Sequence, residues 1–291
     1  MAQSMALVLA MLSSLCFGLA LVTGRVGLRT LDARSGAAIS IPVATLLFVV
    51  AAPFALRVDD FHLGAALLFA GVGLFFPALV TLLTFRANQA LGPTVTGAVS
   101  GTAPLFALLA AGLFLDERIA AQAALATLAV VVGVGLLSYQ RGAARPGVAG
   151  WALWWPVAGA VLRGLAQVGV KAGLLLWPSA FAASLIGYLV SSATVIGINQ
   201  RGRHLRPKAT KRSMAWFAVT GLLNGSAVLL MYAALSLAPV SLVAPVVASY
   251  PLVTALVSAM VLREETLTLR VVAGASVIVA AMVVLAMLAP R

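Results

Sequence analysis

The chain is a succession of apolar runs, each close to the length of a bilayer-crossing helix, with most of its charges in the short gaps between them. A helix needs roughly 20 apolar residues to cross the hydrocarbon core, and inside that core every backbone N–H and C=O must be bonded within its own segment. That pattern restricts the chain to an all-α, polytopic membrane fold. Composition agrees. Of 291 residues, 63% are hydrophobic and only 9% are charged, too few charges to cover a water-soluble protein of this size. The runs predict ten spans, at 4–24, 34–56, 63–86, 92–115, 119–139, 149–171, 178–199, 214–236, 240–262 and 268–288. Pro93 and Pro178 set the two shortest breaks, because proline suits a first turn and disfavours helix before it. The first run lacks a basic leader and a prompt cleavage site, and reads as a retained helix.

The net charge is +12. In a soluble protein such an excess suggests nucleic acid; here the basic residues sit mostly in the gaps and mark topology instead, so no nucleic-acid partner is expected. Gaps after odd-numbered spans carry fourteen basic residues: Arg25, Arg29, Arg34, Arg86, Arg141, Arg145, six from Arg201 to Arg212, Arg263 and Arg270. The opposite side carries four: Arg57, Arg118, Lys171 and Arg291. The positive-inside rule then places both termini outside. Cys16 is the single cysteine, which allows neither an internal disulfide nor a thiolate metal cage.

Two halves of the chain resemble each other. Ala90–Ala120 (ALGPTVTGAVSGTAPLFALLAAGLFLDERIA) and Ser236–Leu267 (SLAPVSLVAPVVASYPLVTALVSAMVLREETL) share Leu-x-Pro, a later proline and an apolar run ending in an acidic turn. Pro104 precedes Glu117 by thirteen residues, as Pro251 precedes Glu264. Phe17-Gly-Leu-Ala matches Arg163-Gly-Leu-Ala, and Arg25 matches Lys171, all at an offset of 146 to 147. The chain divides into a first five-helix repeat (1–140), a linker (141–148) and a second repeat (149–291). With five spans per half the second repeat enters from the opposite side, giving two inverted repeats around a central cavity, as in many secondary transporters.

These residues resemble the EamA-type drug/metabolite transporter superfamily. The clearest stretch runs from Ala238-Pro-Val-Ser-Leu-Val-Ala-Pro245 through Tyr250-Pro-Leu to Leu262-Arg-Glu-Glu265. The resemblance implies ten helices, a cavity lined by spans one, three, four, six, eight and nine, residence in a bacterial inner membrane and export of small metabolites. Bacterial amino-acid exporters, the aromatic type among them, are the most similar branch. Export of nucleosides, sugar derivatives or drugs is the alternative within the superfamily; a non-transporting scaffold or an intramembrane enzyme is the alternative outside it.

An ionisable residue at membrane depth is costly and marks a candidate site. Arg163 lies about fourteen residues into the sixth span, too deep to reach the headgroups easily. It is either an anchor for a substrate carboxylate or a structural donor to helix-end carbonyls or a water-filled cleft. The further candidates are Ser13, Phe17, Thr81, Arg86, Ser100, Gln167, Asn224 and Tyr250. Gln167 is one turn beyond Arg163, and Phe17 and Tyr250 offer apolar or stacking surface. Arg86, near a span end, reads more simply as an interfacial residue whose side chain reaches the headgroups. Ser100 and Tyr250 flank the prolines that free backbone carbonyls, although Gly97 and Gly101 also suit plain helix packing. Trp151, Trp154 and Trp155 read as an interfacial belt.

All seven carboxylates and both histidines fall in predicted gaps. No proton carrier is therefore expected at mid-membrane, which argues for an anion or zwitterion rather than a cation, and for transport without obligatory proton coupling. The sequence has neither a phosphate-binding loop nor a zincin motif, so no cofactor, metal or catalytic residue is expected. The expected partners are a small-molecule substrate and membrane lipid; the sequence leaves monomer and homo-oligomer open.

Overall fold

The computed structural model describes residues 2–56, 61–138, 150–201, 210–262 and 269–288. The predicted linker 141–148 lies outside them. The helices are α1 (Ala2–Gly27), α2 (Ala33–Ala55), α3 (Leu63–Gly73), α4 (Ala78–Ser100), α5 (Ala103–Phe114), α6 (Ala121–Ser138), α7 (Trp154–Leu176), α8 (Ala180–Arg201), α9 (Lys211–Leu237), α10 (Val240–Val247), α11 (Tyr250–Val257) and α12 (Leu269–Leu288). A 3₁₀ turn leads into α7, and a π-helical turn, Ser258–Leu262, follows α11. Among the described residues, seven stretches are long and apolar enough to cross a membrane: Ala2–Gly27, Ala33–Ala55, Leu63–Leu91, Trp151–Leu176, Ala180–Ile198, Lys211–Leu237 and Val240–Met260. Ala103–Phe114, Ala121–Leu136 and Val272–Met287 are shorter apolar helices.

Proline shapes the interior of these spans more than their boundaries. The predicted break before Pro93 is absent; α4 continues through it, and the interruption falls earlier, between Gly73 and Ala78. There Ser191 of α8 bridges both ends, donating to the Gly73 carbonyl (2.6 Å) and accepting from the Ala78 N–H (3.3 Å). A neighbouring helix can thus restore the backbone bonds that proline removes. The predicted fourth and ninth spans are each interrupted, at Gly101–Thr102 and at Ala248–Ser249. These interruptions stand 147 residues apart, two positions before Pro104 and Pro251, as a shared proline position in the two halves dictates.

The two halves pack by exchanging equivalent contacts. α1 lies against α9, α10 and α11, while its counterpart α7 lies against α4 and α5. A Cβ on Gly18 would meet the Val253 side chain (2.6 Å) and the Tyr250 carbonyl (2.9 Å); one on Gly164 would meet the Phe106 side chain (2.8 Å) and the Ala103 carbonyl (3.0 Å). Every residue of the second trio is the repeat equivalent of one in the first, at the offset of 146 to 147. The small residue at each place lets helix backbones approach closely where lipid offers no hydrophobic drive to pack. α2 packs on its own counterpart α8, and α6 on α12. Mutual contact between counterparts is what an approximate twofold axis through the molecule produces.

Candidate substrate site

A cavity of about 40 Å³ lies where α1, α4, α7, α9 and α11 converge. Phe17, Ala20 and Leu21 come from α1, Thr81, Thr84 and Phe85 from α4, Arg163 from α7, Asn224 from α9 and Tyr250 from the start of α11. On the same measure a water needs roughly 10–15 Å³, so the cavity has room for the polar end of a small solute.

Arg163 is the cationic side chain of its lining. The guanidinium carbon sits 5.3 Å from the Phe17 ring centre and 5.5 Å from that of Tyr250. The two rings are 6.2 Å apart, so the three groups form a triangle and each ring offers its π-face to the cation. Phe17 is also the repeat equivalent of Arg163, which places this contact near the twofold axis. Nε of Arg163 is buried without a hydrogen-bond partner. The described carboxylates, Asp32, Asp116 and Glu117, all lie outside the cavity lining. The guanidinium is thus oriented by aromatic faces while its Nε makes no hydrogen bond within the protein.

Of the other sequence-predicted residues, Thr81 and Asn224 face the same space, whereas Ser13, Arg86, Ser100 and Gln167 do not line it. Ser13 is fully buried and donates to the Ala227 carbonyl (2.7 Å), tying α1 to α9. Ser100 is buried at the end of α4, and Arg86 is half-buried. Gln167 is only 2% exposed and its Oε1 has no partner, so it backs Arg163 without reaching the cavity. Ser249, which flanks the second proline break, spends its hydroxyl on Ser14 (2.9 Å) and the Val246 carbonyl (2.7 Å). Thr84 is a lining residue that sequence reasoning missed. The available signal was its spacing, one helical turn beyond Thr81 on the same face.

A second polar cluster closes one end of the bundle. The Lys171 ammonium donates to the carbonyls of Leu235 (2.7 Å) and Ala238 (3.0 Å) at the C-terminus of α9. The Glu117 carboxylate accepts from the N–H groups of Val240 (3.1 Å) and Ser241 (2.9 Å) and from the Ser241 hydroxyl, at the N-terminus of α10. Each charge faces the helix end whose dipole it complements. The preceding Asp116 adopts φ 50°, a left-handed turn that Asp tolerates better than most residues. Arg25, the equivalent of Lys171, donates to the backbone carbonyl of Asn88 (3.2 Å), the equivalent of Leu235. Both basic residues therefore grip a neighbouring helix rather than only fixing their own helix ends at the interface.

Helical halves related by an approximate twofold, meeting at a cavity that holds one cation among the described residues, define a membrane protein of the secondary-transporter type. The sequence profile of the EamA-like transporter family matches residues 4–139 and again residues 150–287. The chain belongs to the EamA-like transporter family, membrane transporters of small solutes. Its fold is also that of a solved structure titled "Crystal structure of protein", with a TM-score of 0.79 over 98% of this chain and 97% of that chain at 16% identity. No curated protein matches the chain in sequence.

Proposed function

We propose that this protein exports small carboxylate-bearing metabolites, amino acids among the candidates, across a bacterial inner membrane. It does so by alternating access between two inverted five-span halves, 1–140 and 149–291, without an obligatory proton. The reading rests chiefly on Arg163: a guanidinium held against two aromatic rings, its Nε without a hydrogen-bond partner, lining a cavity that also offers Thr81, Thr84 and Asn224. A planar fork of donors suits a carboxylate, which it binds by two parallel hydrogen bonds. The neutral hydroxyls and amide opposite can donate or accept and so orient the remainder of the solute. The smallness of the cavity disfavours an aromatic side chain in this conformation, since Phe17 and Tyr250 are already engaged with Arg163.

The test is ligand discrimination by purified protein. Wild type should bind small carboxylic acids at least about tenfold more tightly than the matching amides, the loss expected for one charge-assisted hydrogen bond. Arg163→Ala should abolish that ratio, and Arg163→Lys should restore part of it. A folded Arg163→Ala protein that keeps the wild-type ratio would make Arg163 structural and move the anchor elsewhere.

A further inference from the structure

The charge balance of the cavity narrows the substrate class, on the assumption that Arg163 is the carboxylate anchor. The cavity holds the Arg163 cation, and among the described residues no carboxylate lines it to compensate. A monocarboxylate brings the site to neutrality. A zwitterion of the same shape restores the positive charge and adds an ammonium with three donors and no acceptor. Among the described lining residues, that ammonium would meet only neutral polar groups, those of Thr81, Thr84, Asn224 and Tyr250, in a space of about 40 Å³ shared with a guanidinium. Burying a charge without an opposite partner is costly, and a like charge nearby adds to the cost. A hydroxyl has no such requirement, because it can both donate to the Asn224 amide oxygen and accept from a threonine.

We propose that the site selects small hydroxycarboxylate monoanions over the amino acids that match them in shape, and that transport carries one negative charge per solute. Arg163 belongs to the protein and stays at membrane depth, so the solute alone moves charge between the two sides. An inside-negative potential then drives the anion outward with no coupled ion, at a tenfold concentration ratio for about 60 mV.

The experiment uses the full-length protein and three matched pairs: glycolate with glycine, lactate with alanine, and 2-hydroxybutyrate with 2-aminobutyrate. Affinity is measured by titration calorimetry in detergent, together with lactamide as a neutral control. Radiolabelled lactate distribution is measured in proteoliposomes under potassium–valinomycin potentials. The expected results are about tenfold or tighter binding of the hydroxy acid in at least one pair, and lactate ratios that follow the imposed potential with one charge. Asn224→Asp, which adds a carboxylate to the cavity that Arg163 lines, should shift the preference in that pair toward the amino acid. Equal or tighter binding of the amino acid in every pair, or lactate ratios indifferent to potential, overturns the proposal and leaves the carboxylate anchor intact if lactate still outbinds lactamide. If lactate binds no better than lactamide, or no probe binds at all, the anchor reading fails and this proposal falls with it.

Discussion

Thr45 and Ser192, equivalent residues of the two halves, are joined to each other by a buried hydrogen bond of 2.7 Å. The Thr45 hydroxyl also lies 3.0 Å from both the Ile41 and Tyr188 carbonyls. Its single proton goes to one of those, and Ser192 is therefore the donor between the pair. Two equivalent residues bond to each other only where they straddle the symmetry axis, so this contact marks where that axis passes between the halves. A double-mutant cycle with Thr45→Val and Ser192→Ala should show a coupling of about 0.6 kcal/mol, the average for hydrogen bonds between membrane helices. Unfolding titrations in mixed detergent measure it; additive effects would mean the bond contributes nothing to the joint.

Glu117 and Lys171 cap opposing helix ends across the Ala238–Pro239 break. Hydrogen bonds to charged groups are worth about 1.5–3 kcal/mol each when one partner is removed. Solvent access at this end reduces that, so Glu117→Gln or Lys171→Met should each cost about 1 kcal/mol and lower the melting temperature in detergent. The double variant should cost less than the sum, since each charge lies in the other's field. Full additivity would show the two caps to be independent.

The paired glycine contacts predict paired effects. Gly18→Leu and Gly164→Leu should each destabilise the protein by about 1–3 kcal/mol through overpacking, because a Cβ there already falls within 3.0 Å of a neighbour. Gly71, where an added Cβ would meet nothing within 4 Å, is the control; Gly71→Ala should leave the melting temperature unchanged or slightly raised. Loss of expression for only one of the first two would deny their equivalence.

The bias of basic residues predicts a topology. With Cys16 replaced by serine, a cysteine at Gln3 should react with an impermeant thiol reagent applied from outside. One at Leu205, which lies outside the described residues, should react only after the membrane is opened. Exclusive outside labelling at Leu205 reverses the orientation.

Transport energetics give a further check. No carboxylate or histidine among the described residues lines the cavity, so a pH gradient imposed on proteoliposomes at clamped voltage should leave solute flux nearly unchanged. Uphill accumulation driven by that gradient alone would require a proton carrier and refute the uncoupled mechanism.

The sequence by itself determined the membrane-spanning character of the chain and the resemblance between its halves. Both are local properties: lipid forces each span to satisfy its own backbone, so hydropathy along the chain reveals it. The depth of Arg163 in its span is equally local, and it marks the residue before any contact is known. What only the tertiary structure decided is which face of each helix meets which neighbour. Ser13 and Thr81 are both hydroxyl residues deep in apolar helices, yet Ser13 is consumed by the Ala227 carbonyl while Thr81 lines the cavity. Gln167 shares a face with Arg163 and still does not reach that space. The exchange of contacts between halves, with α1 on α9 to α11 and α7 on α4 and α5, is not encoded in any helix alone. It follows from how small residues permit close approach and how prolines interrupt the neighbouring helices, and it brings Phe17, Arg163 and Tyr250 together from three separate helices.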